Sequence, residues 1–192
     1  EGEKKGVFLP NDCVEDITGG YLIERDYGEK YESEICGFIT PISGDQYVIS
    51  SPEFATDREI IYISELFMGL ERAVRGDGGI DSETGKSYSD YIDITSFAQK
   101  YLVEEISKND GGGCTSSYFY KPEDAISNKI FAGPVWDYDK AYGRVKNYDS
   151  NTRDLGYLTL HPSNTRLFYY LYHQTEFQEE VKKCYQEFFS NY

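Results

Sequence analysis

The run Trp136-Asp137-Tyr138-Asp139, delivered by Gly133-Pro134-Val135, concentrates side chains that could do chemistry. Residues two apart in extended backbone face the same side, so Asp137 and Asp139 are expected to present paired carboxylates, with Trp136 and Tyr138 on the opposite face. Two carboxylates held together repel each other unless a cation sits between them. Their hard oxygens suit Mg²⁺, Mn²⁺ or Ca²⁺, and Mg²⁺ typically keeps sites open for water and substrate phosphates. Upstream, Asn109-Asp110 precedes three glycines, which places Asp110 on a short, shaped loop. The bland alternatives are a plain turn at Asp110 and a structural calcium site at Asp137 and Asp139. An EF-hand is disfavoured because Ala141 stands where that loop needs Asp or Asn.

Other reactive residues are sparse. Lys121 is the base nearest the acidic centre and could either neutralise phosphate or pair with Asp137. Glu104 and Glu105 are adjacent, so only one is expected to face the site; Glu105 falls on the apolar stripe and reads as a buried acid in a structural ion pair. His161 and His173 are the only histidines, with no second ligand nearby to make zinc or triad chemistry. Cys13, Cys36, Cys114 and Cys184 contain no C-x-x-C pair, so free buried thiols are favoured over two disulfides, which would allow three pairings.

The elements that must position these residues can be read from periodicity. Val7 to Leu9, Gly20 to Arg25, Ile35 to Ile39 and Tyr47 to Ser50 read as antiparallel strands. After Pro52, Thr56-Asp57-Arg58-Glu59 has capping-box form and opens an amphipathic helix carrying Ile60, Ile63, Phe67, Leu70 and Val74. Gly76 to Gly85 reads as a loop, and the cell-attachment tripeptide Arg75-Gly76-Asp77 at its start is read as a chance match. A second helix runs from about Thr95 to Ser107, with Ile94, Phe97, Ala98, Tyr101, Leu102 and Ile106 as its buried stripe, and stops at Lys108-Asn109-Asp110. Ser117 to Lys121 and Lys129 to Ala132 form a hairpin. Helices from about Thr165 to His173 and Glu176 to Ser190 follow, the latter introduced by a capping box at Thr175-Glu176-Phe177-Gln178. The fold class is α+β: a sheet region over 1–52, then a mainly helical lobe over 53–192 in a single domain. The order helix, acidic loop, hairpin, acidic loop follows the logic by which kinases let one Asp position the attacking hydroxyl and a later Asp hold the metal.

The chain has 192 residues, 34 acidic against 19 basic side chains and a net charge of −15. Such a surplus of carboxylates repels nucleic acid and anionic membrane surfaces, and no apolar run is long enough to span a bilayer. Nineteen tyrosines in an acidic chain suit an exposed, extracellular setting. There is no initiating Met or apolar leader, and the chain reads as starting inside a longer protein.

These residues carry a resemblance. Asp93-Ile94-Thr95-Ser96-Phe97, Glu104 through Asp110, Ser117-Tyr118-Phe119-Tyr120-Lys121, and Gly133 through Asp139 with Gly143 resemble the spore coat protein H (CotH) kinase family. Gly19-Gly20-Tyr21-Leu22-Ile23-Glu24 and Ser51-Pro52-Glu53 are similar to its upstream landmarks. The resemblance implies a divergent protein-kinase-like fold and an atypical bacterial kinase, a transferase moving a phosphoryl group from ATP, with Mg²⁺ or Mn²⁺, to Ser or Thr of partner proteins. By the same resemblance, Asp110 is the catalytic-loop Asp, Asp137 the metal-binding Asp and Asp139 a second metal partner. Asn109, Ser117, Lys121 and Trp136 fall in the nucleotide or phosphate neighbourhood, and Ser117 stands where a kinase often places a metal-binding Asn. The family occurs on spore coats and among secreted proteins of cellulose-degrading bacteria, sometimes beside the dockerin modules of cellulosomes, so the implied location is extracellular or cell-surface. The resemblance also implies family strands upstream of Gly19-Gly20 that this sequence lacks, so the chain is expected to be the carboxy-terminal portion of the domain. A catalytically inactive interaction or carbohydrate-associated module is the alternative, and a glycosidase built on paired carboxylates is a third reading.

Overall fold

Alternation of inward and outward side chains builds the sheet. In β2 (Tyr21–Arg25) the inward set is Tyr21, Ile23 and Arg25. The computed structural model of the chain describes residues 2–6, 15–109, 115–142 and 166–190. The other strands are β1 (Lys4–Lys5), β3 (Gly37–Ile39), β4 (Gln46–Ser51), β5 (Ser117–Lys121) and β6 (Phe131–Ala132). Together the six form one antiparallel sheet in the order β1-β3-β4-β2-β5-β6. The helices among the described residues are α1 (Glu29–Ser33), α2 (Asp57–Arg75), α3 (Tyr88–Tyr91), α4 (Ile94–Ser107), α5 (Arg166–Tyr172) and α6 (Thr175–Ser190), with a 3₁₀ turn at Asp77–Gly79. The fold is α+β.

The sheet is not confined to residues 1–52. β5 pairs with β2 from Tyr21↔Lys121 to Arg25↔Ser117, so the strand that follows Asn109 lies inside the sheet laid down by the amino-terminal segment. Lys4 and Lys5 pair with Phe38 and Gly37, and the Lys5 ammonium donates to the Tyr31 carbonyl while lying over the Tyr31 ring. The strand expected at Val7 to Leu9 lies outside the described residues. The short helices α1 and α3 lack the multi-turn apolar period that announces a helix in sequence.

α2 starts as its capping box requires. The Glu59 carboxylate accepts from the Thr56 N–H at 2.7 Å, and the Thr56 hydroxyl accepts from the Glu59 N–H at 3.3 Å. Its buried face includes Ile60, Ile63, Phe67, Leu70 and Val74. Gly69 permits the approach of α3: a Cβ there would lie 2.6 Å from the Tyr91 ring. The Arg75 guanidinium at the start of the Arg-Gly-Asp tripeptide is engaged, donating to the Glu71 carbonyl and stacking 4.3 Å from the centre of the Tyr170 ring.

Between sheet and helices runs a connected series of rings. Phe119 of β5 touches Tyr47 of β4, Phe67 of α2 and Phe97 of α4, and Phe97 continues to Phe168 of α5. Cys36 and Cys184 are buried free thiols, which removes the two-disulfide scheme; Cys13 and Cys114 lie outside the described residues. α6 begins at Thr175, one residue before the expected start, and the Gln178 side-chain amide donates to the Tyr172 carbonyl. His173 hydrogen-bonds the Tyr169 carbonyl one turn back, at 2.7 Å.

Candidate active site

α4 decides where the acidic loop sits. It is capped by Asp93, whose carboxylate accepts from the Ser96 N–H at 2.8 Å, and it ends at Lys108, which adopts the left-handed conformation at φ 51°. Its first half buries Phe97, Ala98 and Tyr101 as expected, but its second half buries polar groups. Lys100, Glu104, Glu105 and Ser107 are buried, while Ile106 is 51% exposed and Val103 is 41% exposed. Glu104 and Glu105 therefore both lie inside, where only one was expected to. Each has a basic partner: Glu105 pairs with Lys108 at 3.1 Å and Glu104 with Lys100 at 2.5 Å. The Lys100 to Glu104 spacing of one helical turn was the readable sign, since an i, i+4 pair can neutralise itself on the way into a core.

The partner that draws Glu104 inward is Tyr138. Its hydroxyl donates to Glu104 Oε1 at 2.7 Å, and burial together with the Glu104 carboxylate pushes the phenol's pKa up. A second tie follows four residues later, where the Tyr142 N–H donates to the Ser107 carbonyl at 2.7 Å. The loop from Asp137 to Tyr142 is thereby fastened along the last turn of α4, next to Asn109. Asn109 is 1% exposed, and its Oδ1 has no donor among the described residues. A buried amide oxygen left without a donor is the kind of hard oxygen that a divalent cation takes.

The acids themselves are solvent-exposed. Asp137 has φ 58°, so this loop is not the extended strand that the two-residue alternation assumed. Trp136 and Tyr138 consequently engage different elements. Tyr138 reaches α4, whereas Trp136, 59% exposed, sets its ring edge-on to Tyr118 of β5 at 6.2 Å. Tyr118 donates in turn to Glu24 of β2 at 2.7 Å, and burial raises the Glu24 pKa against the lowering effect of that bond. All four non-glycine residues with positive φ among the described residues, Lys108, Ser116, Asp137 and Tyr142, border this region. Such strain collects where a site has to be shaped.

Two of the expected neighbours, Lys121 and Ser117, lie on β5. The Lys121 ammonium is buried and donates to the carbonyls of Thr18, Pro122 and Ser127 and to the Asp124 carboxylate, at 2.6 to 3.0 Å. It closes the loop after β5 and pairs with Asp124, not Asp137. Ser117 is buried in β5 opposite Arg25. Asp110 lies outside the described residues, among which no cluster of three or more His, Cys, Asp or Glu side chains forms. A groove of about 660 Å³ between α4 and α6, lined by Leu102, Val103, Ile106, Tyr185 and Phe188, contains neither Asp137 nor Asp139.

The family model described as CotH kinase protein matches residues 2–192. The chain belongs to the CotH kinase family. No curated protein and no solved structure matches it. In this CotH kinase family chain, Tyr138 and Tyr142 fasten the segment that carries Asp137 and Asp139 onto the end of α4.

Proposed function

We propose that this CotH family chain is an atypical kinase of divergent kinase-like fold that transfers the γ-phosphoryl group of ATP to Ser or Thr hydroxyls of partner proteins. The observation that carries the reading is the double fastening of the Asp137–Tyr142 loop to α4, through Tyr138 to Glu104 and Tyr142 to Ser107, within a family match covering the chain. Asp137 and Asp139 would hold Mg²⁺ or Mn²⁺, with Asn109 Oδ1 as a further oxygen donor. When bound, such an ion neutralises the phosphate oxygens and orients the transferred group. The chain's own residues then supply placement: Asp110 accepts the hydrogen bond of the acceptor hydroxyl and aims it, and Trp136 offers an exposed ring beside the nucleotide. The acidic, tyrosine-rich composition supports an extracellular or cell-surface setting. That assignment follows from charge and solubility and is part of the proposal.

Incubation of the chain with γ-labelled ATP, Mn²⁺ and Ser/Thr-containing acceptor proteins tests this. Transfer is expected to fall to background in Asp137→Asn, which keeps the side chain's shape and its tolerance of positive φ. Equal labelling by the wild type and Asp137→Asn sinks the proposal. The exposed aromatic rings of Trp136 and of Tyr120, which stacks on Phe131 at 5.0 Å, favour carbohydrate binding as a second reading. Glycan binding that survives Asp137→Asn, with no phosphoryl transfer, would select it.

A further inference from the structure

We infer that Lys100, Glu104 and Tyr138 form a positioning unit whose task is to hold the Trp136–Asp139 loop in one orientation. The inference rests on the reading of Asp137 and Asp139 as metal-holding groups and adds the residues that aim them.

Glu104 is 0% exposed and Lys100 is 4% exposed. A buried ion pair is weak support for stability, because removing two charges from water costs several kcal/mol per ion and an apolar pair often serves as well. This pair is also incompletely satisfied. Among the described residues, Lys100 Nζ makes no hydrogen bond of good geometry and Glu104 Oε2 has no donor, although Lys100 Nζ lies 2.5 Å from Glu104 Oε1. What the pair does provide is a fixed acceptor for one hydroxyl, that of Tyr138, which stands between the two exposed acids. Lys100 Nζ braces Glu104 one helical turn away and lies 5.9 Å from the centre of the Tyr138 ring. Charge assistance strengthens the phenol–carboxylate bond, and a single strong bond at the middle of a four-residue loop removes the rotation that would swing its neighbours. Outer residues that orient metal ligands in this way commonly matter almost as much as the ligands.

The only tryptophan in the chain, Trp136, lies in the loop and reports on it. Tyr138→Phe removes one oxygen and keeps the ring. It is expected to lower the fluorescence anisotropy of Trp136 and to weaken Mn²⁺ binding, read as quenching of the same fluorescence, by about tenfold. Tyr88→Phe, which removes a hydroxyl bonded to Glu176 on α6, should leave both readings at wild-type values. The double variant Lys100→Met/Glu104→Gln removes the charges together and retains an acceptor for Tyr138, so it is expected to restore much of the anisotropy that Lys100→Met/Glu104→Leu loses. Wild-type anisotropy in both Tyr138→Phe and Lys100→Met/Glu104→Leu overturns the inference. If Tyr138→Phe loosens Trp136 while the wild type shows no response to Mn²⁺, the anchoring stands and the metal reading falls.

Discussion

Asp137 combines an exposed carboxylate with φ 58°, and those two properties can be separated by substitution. Glycine adopts the left-handed region without a Cβ clash, whereas alanine there is disfavoured by about 1 kcal/mol. Asp137→Gly and Asp137→Ala should therefore abolish Mn²⁺ quenching of Trp136 equally. Denaturant unfolding should nevertheless find the glycine variant about 1 kcal/mol the more stable. Equal stabilities would mean that the backbone at Asp137 is not held left-handed. Lys121 gives the converse case, a base near the acidic centre in sequence whose ammonium is spent on three carbonyls and Asp124. Lys121→Met should lower stability by about 3 kcal/mol, because the carbonyls and carboxylate lose their shared donor. It should leave the Mn²⁺ response intact, whereas a phosphate-binding lysine would lose nucleotide affinity with little loss of stability.

At the scale of elements, the connection from α2 to α3 is held by Asp81, which is fully buried and accepts from the Arg72 guanidinium, the Glu83 N–H and the hydroxyls of Thr84 and Tyr91. Burial by itself would raise its pKa, but these donors outweigh burial and hold the carboxyl well below its ordinary value of 3.8. A carboxyl depressed in the folded state contributes its full stabilisation above the unfolded pKa and loses it as pH falls toward the folded one. Glu71 has the opposite sign: burial raises it, so its contribution declines as pH rises through its folded value. Asp81→Asn should cost about 2 to 3 kcal/mol near neutral pH and flatten the decline in stability below about pH 4, read from denaturant midpoints across pH. A parallel, undiminished acid decline in the variant would show that other carboxylates carry it. Helix α2, the hairpin and the stop at Lys108 were legible in sequence because each is set by local chemistry: a capping box, alternation, and a run tolerant of positive φ. The second half of α4 was legible only in the Lys100 to Glu104 spacing. Its apolar period pointed Ile106 inward, yet Tyr138, 34 residues away from Glu104, rewards burial of the polar face. No local pattern encodes a partner that distant. The same limit applies to Lys121, whose acceptors at Thr18, Pro122 and Ser127 meet only when β5 enters the sheet.

For the whole molecule, insertion of β5 next to β2 has a consequence for how the chain comes apart. The strand arrives after α2 and α4 in sequence, so the amino-terminal strands and the later helices share it and cannot each complete a core alone. Phe119 stands at the junction, 2% exposed, with Tyr47 on the sheet side and Phe67 and Phe97 on the helices. Truncating such a ring removes buried area and leaves a cavity whose walls belong to several elements that cannot all collapse into it. Phe119→Ala is expected to destabilise the chain by about 3 to 5 kcal/mol. Phe188→Ala, whose ring is 54% exposed on α6, should cost much less. Because the loss strikes the shared strand, far-ultraviolet circular dichroism and Trp136 fluorescence should shift together, in one transition, for both the wild type and Phe119→Ala. Two separated transitions, with the Trp136 signal lost before the helical signal, would instead mean that the sheet edge carrying the acidic loop opens as a unit of its own, and that the loop's orientation is set by α4 alone.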